Sequence, residues 1–109
     1  MELTPTSSST AVDALSALAQ EHRLAAFRML VQAGADGLSA GDIARKLDLA
    51  PSSLSFHLAQ LSRAGLISDE RRSRSIIYRA NFAAMNRLLG FLTENCCRGV
   101  DAAAERKSV

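Results

Sequence analysis

The chain has 109 residues, 48% of them hydrophobic, with 13 Lys and Arg against 11 Asp and Glu and a net charge of +2. That length suits one compact domain with its own core, and a second domain is not expected. No apolar run approaches the ~20 residues that span a bilayer, and the opening MELTPTSSST lacks the basic start and apolar centre of a secretion signal. A cytoplasmic protein with no membrane partner is therefore expected.

Residues 1 to 9 are polar and rich in Ser, Thr and Pro, which predicts a mobile arm ahead of a domain over residues 10 to 99. Thr10 and Asp13 have the spacing of a capping pair, and Val12, Leu15 and Leu18, then Leu24, Phe27 and Leu30, recur at helical spacing. Two helices parted near Gln20 and Glu21 are expected. Ala33-Gly34-Ala35-Asp36-Gly37 follows as a turn, because its two glycines break a helix and permit positive φ.

Ser39 can cap the next helix, with Asp42 in the capping-box position and Ile43, Ala44 and Leu47 on the inner face. After Asp48-Leu49-Ala50, Pro51 suits a first helical position, where a missing N–H costs nothing. Leu54, Leu58 and Leu61 then form an apolar stripe, and Gly65 ends the helix. Two helices joined by so short a turn make a helix-turn-helix, whose second member can enter a major groove of DNA. Ser52, Ser53, Ser55, Phe56, His57 and Gln60 lie off the leucine stripe and face outward. There Ser and Gln can bond base edges or phosphates, and Phe56 can meet a thymine methyl. His57 keeps two readings, a contact to DNA or a bond that holds the turn. Arg23, Arg28, Arg45 and Lys46 read as surface charges, and His22 as a local helix contact.

Leu66-Ile67 and Ile76-Ile77-Tyr78 are β-prone and flank residues 68 to 75, which predicts a two-stranded hairpin with Arg71, Arg72 and Arg74 at a basic tip. Net charge does not announce a nucleic-acid binder, but this cluster, with Arg79 close by, suits phosphate or minor-groove contact. The plainer reading is a solvated hairpin. Asn81 opens the last helix, in which Phe82, Met85, Leu89, Leu92 and Cys96 are spaced 3, 4, 3 and 4 apart. That is a heptad seam, widened by Leu88 and Phe91, and it carries more apolar surface than the domain needs for itself, so a partner helix is expected. Gly99 is expected to stop the helix, and residues 100 to 109 read as a disordered tail. The fold class is mainly α with a small β-hairpin, a winged helix-turn-helix.

Cys96 and Cys97 are the only cysteines. Neighbouring cysteines close no useful loop, and their disulfide would be strained, so the pair suggests thiol chemistry rather than a structural crosslink. Trivalent arsenic is soft and thiophilic and usually takes three ligands, of which two thiolates supply most. Zinc wants four, and the two histidines are distant in sequence. Arg98 would favour thiolates, while the negative end of the helix opposes them. The plainer reading makes Cys96 a small apolar seam residue and Cys97 a bystander.

Three stretches carry a resemblance: EHRLAAFRML over 21 to 30, PSSLSFHLAQLSRAGLI over 51 to 67 and ERRSRSIIYRA over 70 to 80. Together, in this order, they resemble the ArsR/SmtB family of metal- and metalloid-responsive winged-helix repressors, over roughly residues 10 to 98. The second stretch is similar to the family's recognition helix, with its Ser-x-His-Leu centre, and the third to its wing. The resemblance implies a homodimer joined through the first and last helices, with Leu15, Leu18, Phe82, Met85, Leu89 and Leu92 at the interface.

The family's effector sites differ among its members. A Cys-x-Cys pair in the third helix is absent, because residues 39 to 47 hold no cysteine, and a last-helix zinc site fails because no histidine follows His57. A third group carries adjacent cysteines at the end of the last helix and senses arsenic or antimony. Cys96 and Cys97 match that group, although the further cysteine it often has is missing. The expected function is a repressor bound to double-stranded operator DNA and released when arsenite or antimonite, as regulatory ligand, joins Cys96 and Cys97. A thiol redox-sensing repressor and a helical interaction domain that binds no DNA are the alternatives. No nucleophile-base pairing or phosphate loop suggests an enzyme, and no catalytic cofactor is expected.

Overall fold

The computed structural model describes residues 7 to 97. Five helices, Ser8–Leu18 (α1), Glu21–Ala33 (α2), Ala40–Leu47 (α3), Pro51–Arg63 (α4) and Phe82–Thr93 (α5), frame three short strands, Leu38–Ser39 (β1), Ile67–Arg72 (β2) and Ser75–Ala80 (β3). The mainly helical winged fold expected from the sequence is what forms. The expected stop at Gly99, the tail over 100 to 109 and the arm over 1 to 6 lie outside the described residues. No helix among the described residues is long and apolar enough to cross a membrane.

The first helix starts earlier than its apolar pattern implies. Ser7 is its cap, accepting from the Thr10 backbone N–H, so Ser8 and Ser9 are helical rather than part of an arm, and Thr10 sits inside the first turn. Ser7 caps because it is the residue with an extended backbone, at φ −81° and ψ 159°, ahead of the first turn. The inner face of α1 is also not the leucine set. Ala11, Ala14 and Ala17 are buried, while Val12 and Leu15 point outward. Both sets have helical spacing, and alanine lets the helix approach the body more closely.

The break before α2 falls where the sequence put it, with Gln20 as cap, accepting from the Arg23 N–H at 2.9 Å. Ala26, Phe27 and Leu30 face the core, and Leu24 is exposed. A single 3-10 turn over Gly34–Asp36 follows, ending at Gly37 with φ 67°. A side chain at Gly37 would run into the Tyr78 carbonyl and the Ile77 side chain, so glycine is required for the chain to pass against β3.

Ser39 caps α3 by accepting from the Asp42 N–H at 3.1 Å, and Asp48 closes it in the left-handed region at φ 56°. Pro51 opens α4, and Leu54, Leu58 and Leu61 are essentially buried, as their spacing requires. Leu30, Ile43, Leu54, Leu58, Leu61 and Leu66 are the largest fully buried side chains, so the core lies where α2, α3 and α4 meet. Burial of a leucine of this kind is worth about 1.5–3 kcal/mol. The outward face of α4 is thereby fixed, since rotating the helix would expose the stripe.

The sheet is three-stranded and antiparallel in the order β1-β3-β2, with Leu38 opposite Tyr78. β1 has only two residues, too few for alternation to be visible in the sequence. The hairpin strands run further toward the tip than expected, pairing Arg72 with Ser75. Only Ser73 and Arg74 turn the corner, and Ser73 does so at φ 57°, where glycine would sit without strain. Arg71 and Arg72 are therefore strand residues.

The last helix is capped by Asn81, which accepts from the Ala84 N–H at 3.1 Å, and ends at Thr93 with Glu94 as its C-cap. Leu88 is the residue buried in the domain, with Met85 and Phe91 packed against the core. Cys96 is thus not the last member of a helical seam. The chain turns at Asn95, φ 60°, the Cys96 N–H reaches the Thr93 carbonyl at 2.9 Å, and Cys97 lies at φ 66°. Asn tolerates the left-handed region better than most residues, and it stops the helix before the cysteines.

Candidate DNA-reading surface and cysteine pair

Because its leucines are buried, α4 presents Ser52, Ser53, Ser55 and Phe56 to solvent, and Phe56 is 58% exposed. An aromatic ring this open on a polar face has little folding role, and it suits contact with an apolar group of a partner. Gln60 is half-buried further along the same helix. His57, also half-buried, is committed to α2. Its Nδ1 lies 3.2 Å from an Arg23 guanidinium nitrogen, and its ring is 5.7 Å from that of His22. Since a guanidinium only donates, Nδ1 accepts and the ring proton sits on Nε2. Burial, together with the charges of Arg23 and His22, holds the His57 pKa below its ordinary value. His22 in turn makes a local contact, with Nδ1 3.4 Å from the Gln20 side-chain nitrogen.

The wing follows α4 in the chain and contacts it through β2, and alternation along its strands divides its charges. Glu70 and Arg72 share one face of β2 with Arg79 of β3. An Arg79 nitrogen reaches Glu70 at 2.7 Å, Arg72 reaches the same oxygen at 3.4 Å, and Arg79 Nε donates to the Ala35 carbonyl at 2.7 Å. The hydrogen bond from Arg79 and the charges of both arginines lower the Glu70 pKa. Arg79 is thus a structural tie between the wing and the 3-10 turn. Arg71, on the opposite face, and Arg74, in the turn, have no ion-pair partner among the described residues.

Glu70 therefore spends part of the wing's positive charge internally, a pairing the sequence reading missed although the spacing of Glu70 and Arg72 on one strand face signals it. Glu70→Gln is expected to tighten duplex binding and to steepen its salt dependence by about 0.9 in log–log slope for each arginine that turns to a phosphate. Anisotropy titrations at several salt concentrations measure this, and an unchanged slope would show that neither arginine reaches DNA.

At the far end, Cys96 and Cys97 are both exposed, with their sulfurs 3.3 Å apart. Two sulfurs held by one ion at about 2.3 Å, a typical thiolate–metal bond, and at roughly a right angle are about 3.3 Å apart. The pair fits a single bridging atom as it stands. Among the described residues, no group of three His, Cys, Asp or Glu side chains gathers as a metal site.

Phe82, Leu89 and Leu92 of α5 are exposed, the last two to 51% and 54%, and Leu15 with Val12 on α1 and Leu24 on α2 are exposed as well. Leu18 and Met85, expected with them at a dimer face, are half-buried and pack partly against the core. They line an apolar cleft of about 400 Å³ between α2 and α5.

The description "Helix-turn-helix domain" matches residues 18 to 70. The chain is 32% identical over 91 residues to the transcriptional activator HlyU of Vibrio cholerae, covering 84% of this chain and 82% of that protein. It is 33% identical over 95 residues to the nodulation protein NolR of Rhizobium meliloti, with 87% and 75% covered. The solved structure of reduced HlyU from Vibrio cholerae superposes with a TM-score of 0.63 at 32% identity, over 84% of this chain and 93% of that one. An ArsR-like transcriptional regulator from Rhodococcus sp. RHA1 gives a TM-score of 0.69 at 25% identity, over 92% and 87%. With a recognition helix turned outward beside an arginine-bearing hairpin, and with these relatives matched over most of its length, the chain belongs to the ArsR/SmtB family of winged helix-turn-helix transcriptional regulators.

Proposed function

We propose that the protein is a homodimeric, cytoplasmic repressor that occupies a near-palindromic operator and leaves it when trivalent arsenic or antimony joins Cys96 and Cys97. The observation that carries DNA binding is the outward face of α4, polar apart from the exposed Phe56, followed by a wing whose Arg71 and Arg74 have no ion pair among the described residues. Two such helices in a dimer would meet successive major grooves about 34 Å apart. The exposed apolar residues of α1 and α5 supply the surface on which two copies meet, continuing the seam that the sequence reads.

The 3.3 Å separation of the two sulfurs supports a thiol-seeking effector. Arsenite condenses with thiols and replaces oxygen ligands by sulfur, so it supplies a crosslink between neighbouring side chains. Ligand releases DNA only if it binds the DNA-free form more tightly. The cysteines follow the C-cap of α5 after one residue, Asn95, so a crosslink that reshapes the turn over 94 to 97 acts close to the exposed Leu92 at the end of the helix. That contact is the differential one the mechanism requires. A thiol redox sensor is the second reading, favoured by the similarity to HlyU, of which the reduced form has been solved.

Replacing Arg71 and Arg74 by serine tests the DNA part. If each arginine neutralises one phosphate, the log–log salt slope of operator binding becomes shallower by about 0.9 per residue, while every sequence is weakened alike. Anisotropy with operator and with scrambled duplex distinguishes the outcomes. Failure of the wild-type chain to bind any duplex in a salt-dependent way would support a protein-docking domain instead.

A further inference from the structure

Arg23, a surface charge by its sequence, occupies a junction of three helices. Its backbone N–H is fixed by the Gln20 cap, its Nε donates to the Ala17 carbonyl of α1 at 2.8 Å, and a terminal nitrogen reaches His57 Nδ1 of α4 at 3.2 Å. Ala17 lies in the last turn of α1, where carbonyls lack partners within the helix. Around Arg23, α1 and α4 are separated by an open cleft of about 400 Å³, lined also by Asp13, Ser16, Gln60 and Arg63. At this end a polar bridge takes the place of apolar packing.

We propose that Arg23 is a positioning residue for DNA reading, tying the recognition helix through His57 to the end of the dimer helix α1. The inference rests on the DNA-binding reading above. α1 contributes Val12 and Leu15 to the exposed apolar face, while His57 lies between Phe56 and Leu58 on the recognition helix. A displacement at the dimer face therefore reaches α4 through one guanidinium, whose planar fork holds both acceptors in fixed geometry.

The bridge needs a neutral His57. The groups around that ring are Arg23 and His22 on α2, with Phe56 edge-on from its own helix, and Asp13 of α1 lining the cleft that Arg23 also lines. Protonation would remove the acceptor and set a cation against Arg23. Because the folded pKa is lowered from 6.5, this contribution is present above that value and is lost as pH falls below it.

The test is operator affinity of the full chain, by anisotropy across salt and pH. Arg23→Met keeps the stem and removes the donors, so affinity should fall about tenfold with an unchanged salt slope. His57→Leu breaks the same bridge from the other end, and the double variant should be no weaker than either single one. His57→Asn, which keeps an acceptor near Nδ1 and cannot be protonated, should lose the acid sensitivity of binding and be weakened less than His57→Leu. A slope shallower by about 0.9 in Arg23→Met would make Arg23 a phosphate contact and overturn the proposal. Additive losses, unchanged affinity in Arg23→Met, or wild-type affinity that rises on acidification would also overturn it. If the wild-type chain binds no operator, the functional reading and this inference fail together. Normal wild-type binding with an indifferent Arg23→Met removes the bridge alone.

Discussion

Replacing Cys96 and Cys97 together by serine is expected to leave operator binding unchanged and to abolish its release by arsenite. Both side chains are exposed beyond the end of α5, so serine removes the soft ligands without opening a cavity. A coupling of ~1–3 kcal/mol between effector and DNA would appear in the wild type as a 5- to 150-fold loss of affinity, and in the double variant as none. A phenyl-substituted arsenical, with two positions open to thiols, should act like arsenite if two thiolates are enough. Release by arsenite alone would mean that another protein ligand completes the site. Release by peroxide in the absence of arsenite would favour the redox reading. Wild-type sensitivity in the serine variant would remove the cysteines from the mechanism altogether.

A comparable effect is expected from Leu92→Glu, which should give a monomer with native helical content and severely weakened operator binding. Leu92 is 54% exposed in one chain, next to Leu89 at 51%, so the carboxylate is well tolerated before association. In a dimer it would be buried without a partner, at a cost that an interface of ~800 Å² per subunit cannot absorb. Separated subunits lose the advantage of binding two half-sites at once, on the order of 10²–10⁴ in affinity. Sedimentation and anisotropy measure the two consequences independently. A variant that remains dimeric would place the subunit contact elsewhere, and a monomer with full affinity would show that one recognition helix suffices.

Much of the candidate DNA-reading surface was legible because a buried stripe dictates its opposite face. Leu54, Leu58 and Leu61 at helical spacing, preceded by Pro51, fix both the start and the rotation of α4. The Ser39 cap and the break at Gln20 were equally readable, since a cap is a contact between residues three apart. Hydropathy misled where two stripes compete. In α1, alanines took the core and leucine faced out, because the nearness of a neighbouring helix, absent from any local pattern, selects the smaller side chain. On α5 the helical spacing holds as far as Leu92, and the helix ends before Cys96. Asn95 turns the chain before Cys96, so the cysteine pair sits on a turn rather than on the seam.

The charges divide in the same way. The arginine cluster is plain in the sequence, but the Glu70 contacts to Arg72 and Arg79, and the bond from Arg79 to Ala35, depend on strand register and on the packing of the wing. Arg23 and His57 stand 34 residues apart in the chain, and nothing local announces that they meet. By itself the sequence determined the helices, their caps, the outward face of α4 and the presence of two adjacent thiols, because each follows from spacing within a few residues. The tertiary structure alone decided which apolar side chains stayed open, which wing arginines pair with Glu70, and where the thiols lie, because those outcomes depend on which distant surfaces approach closely enough to exclude water.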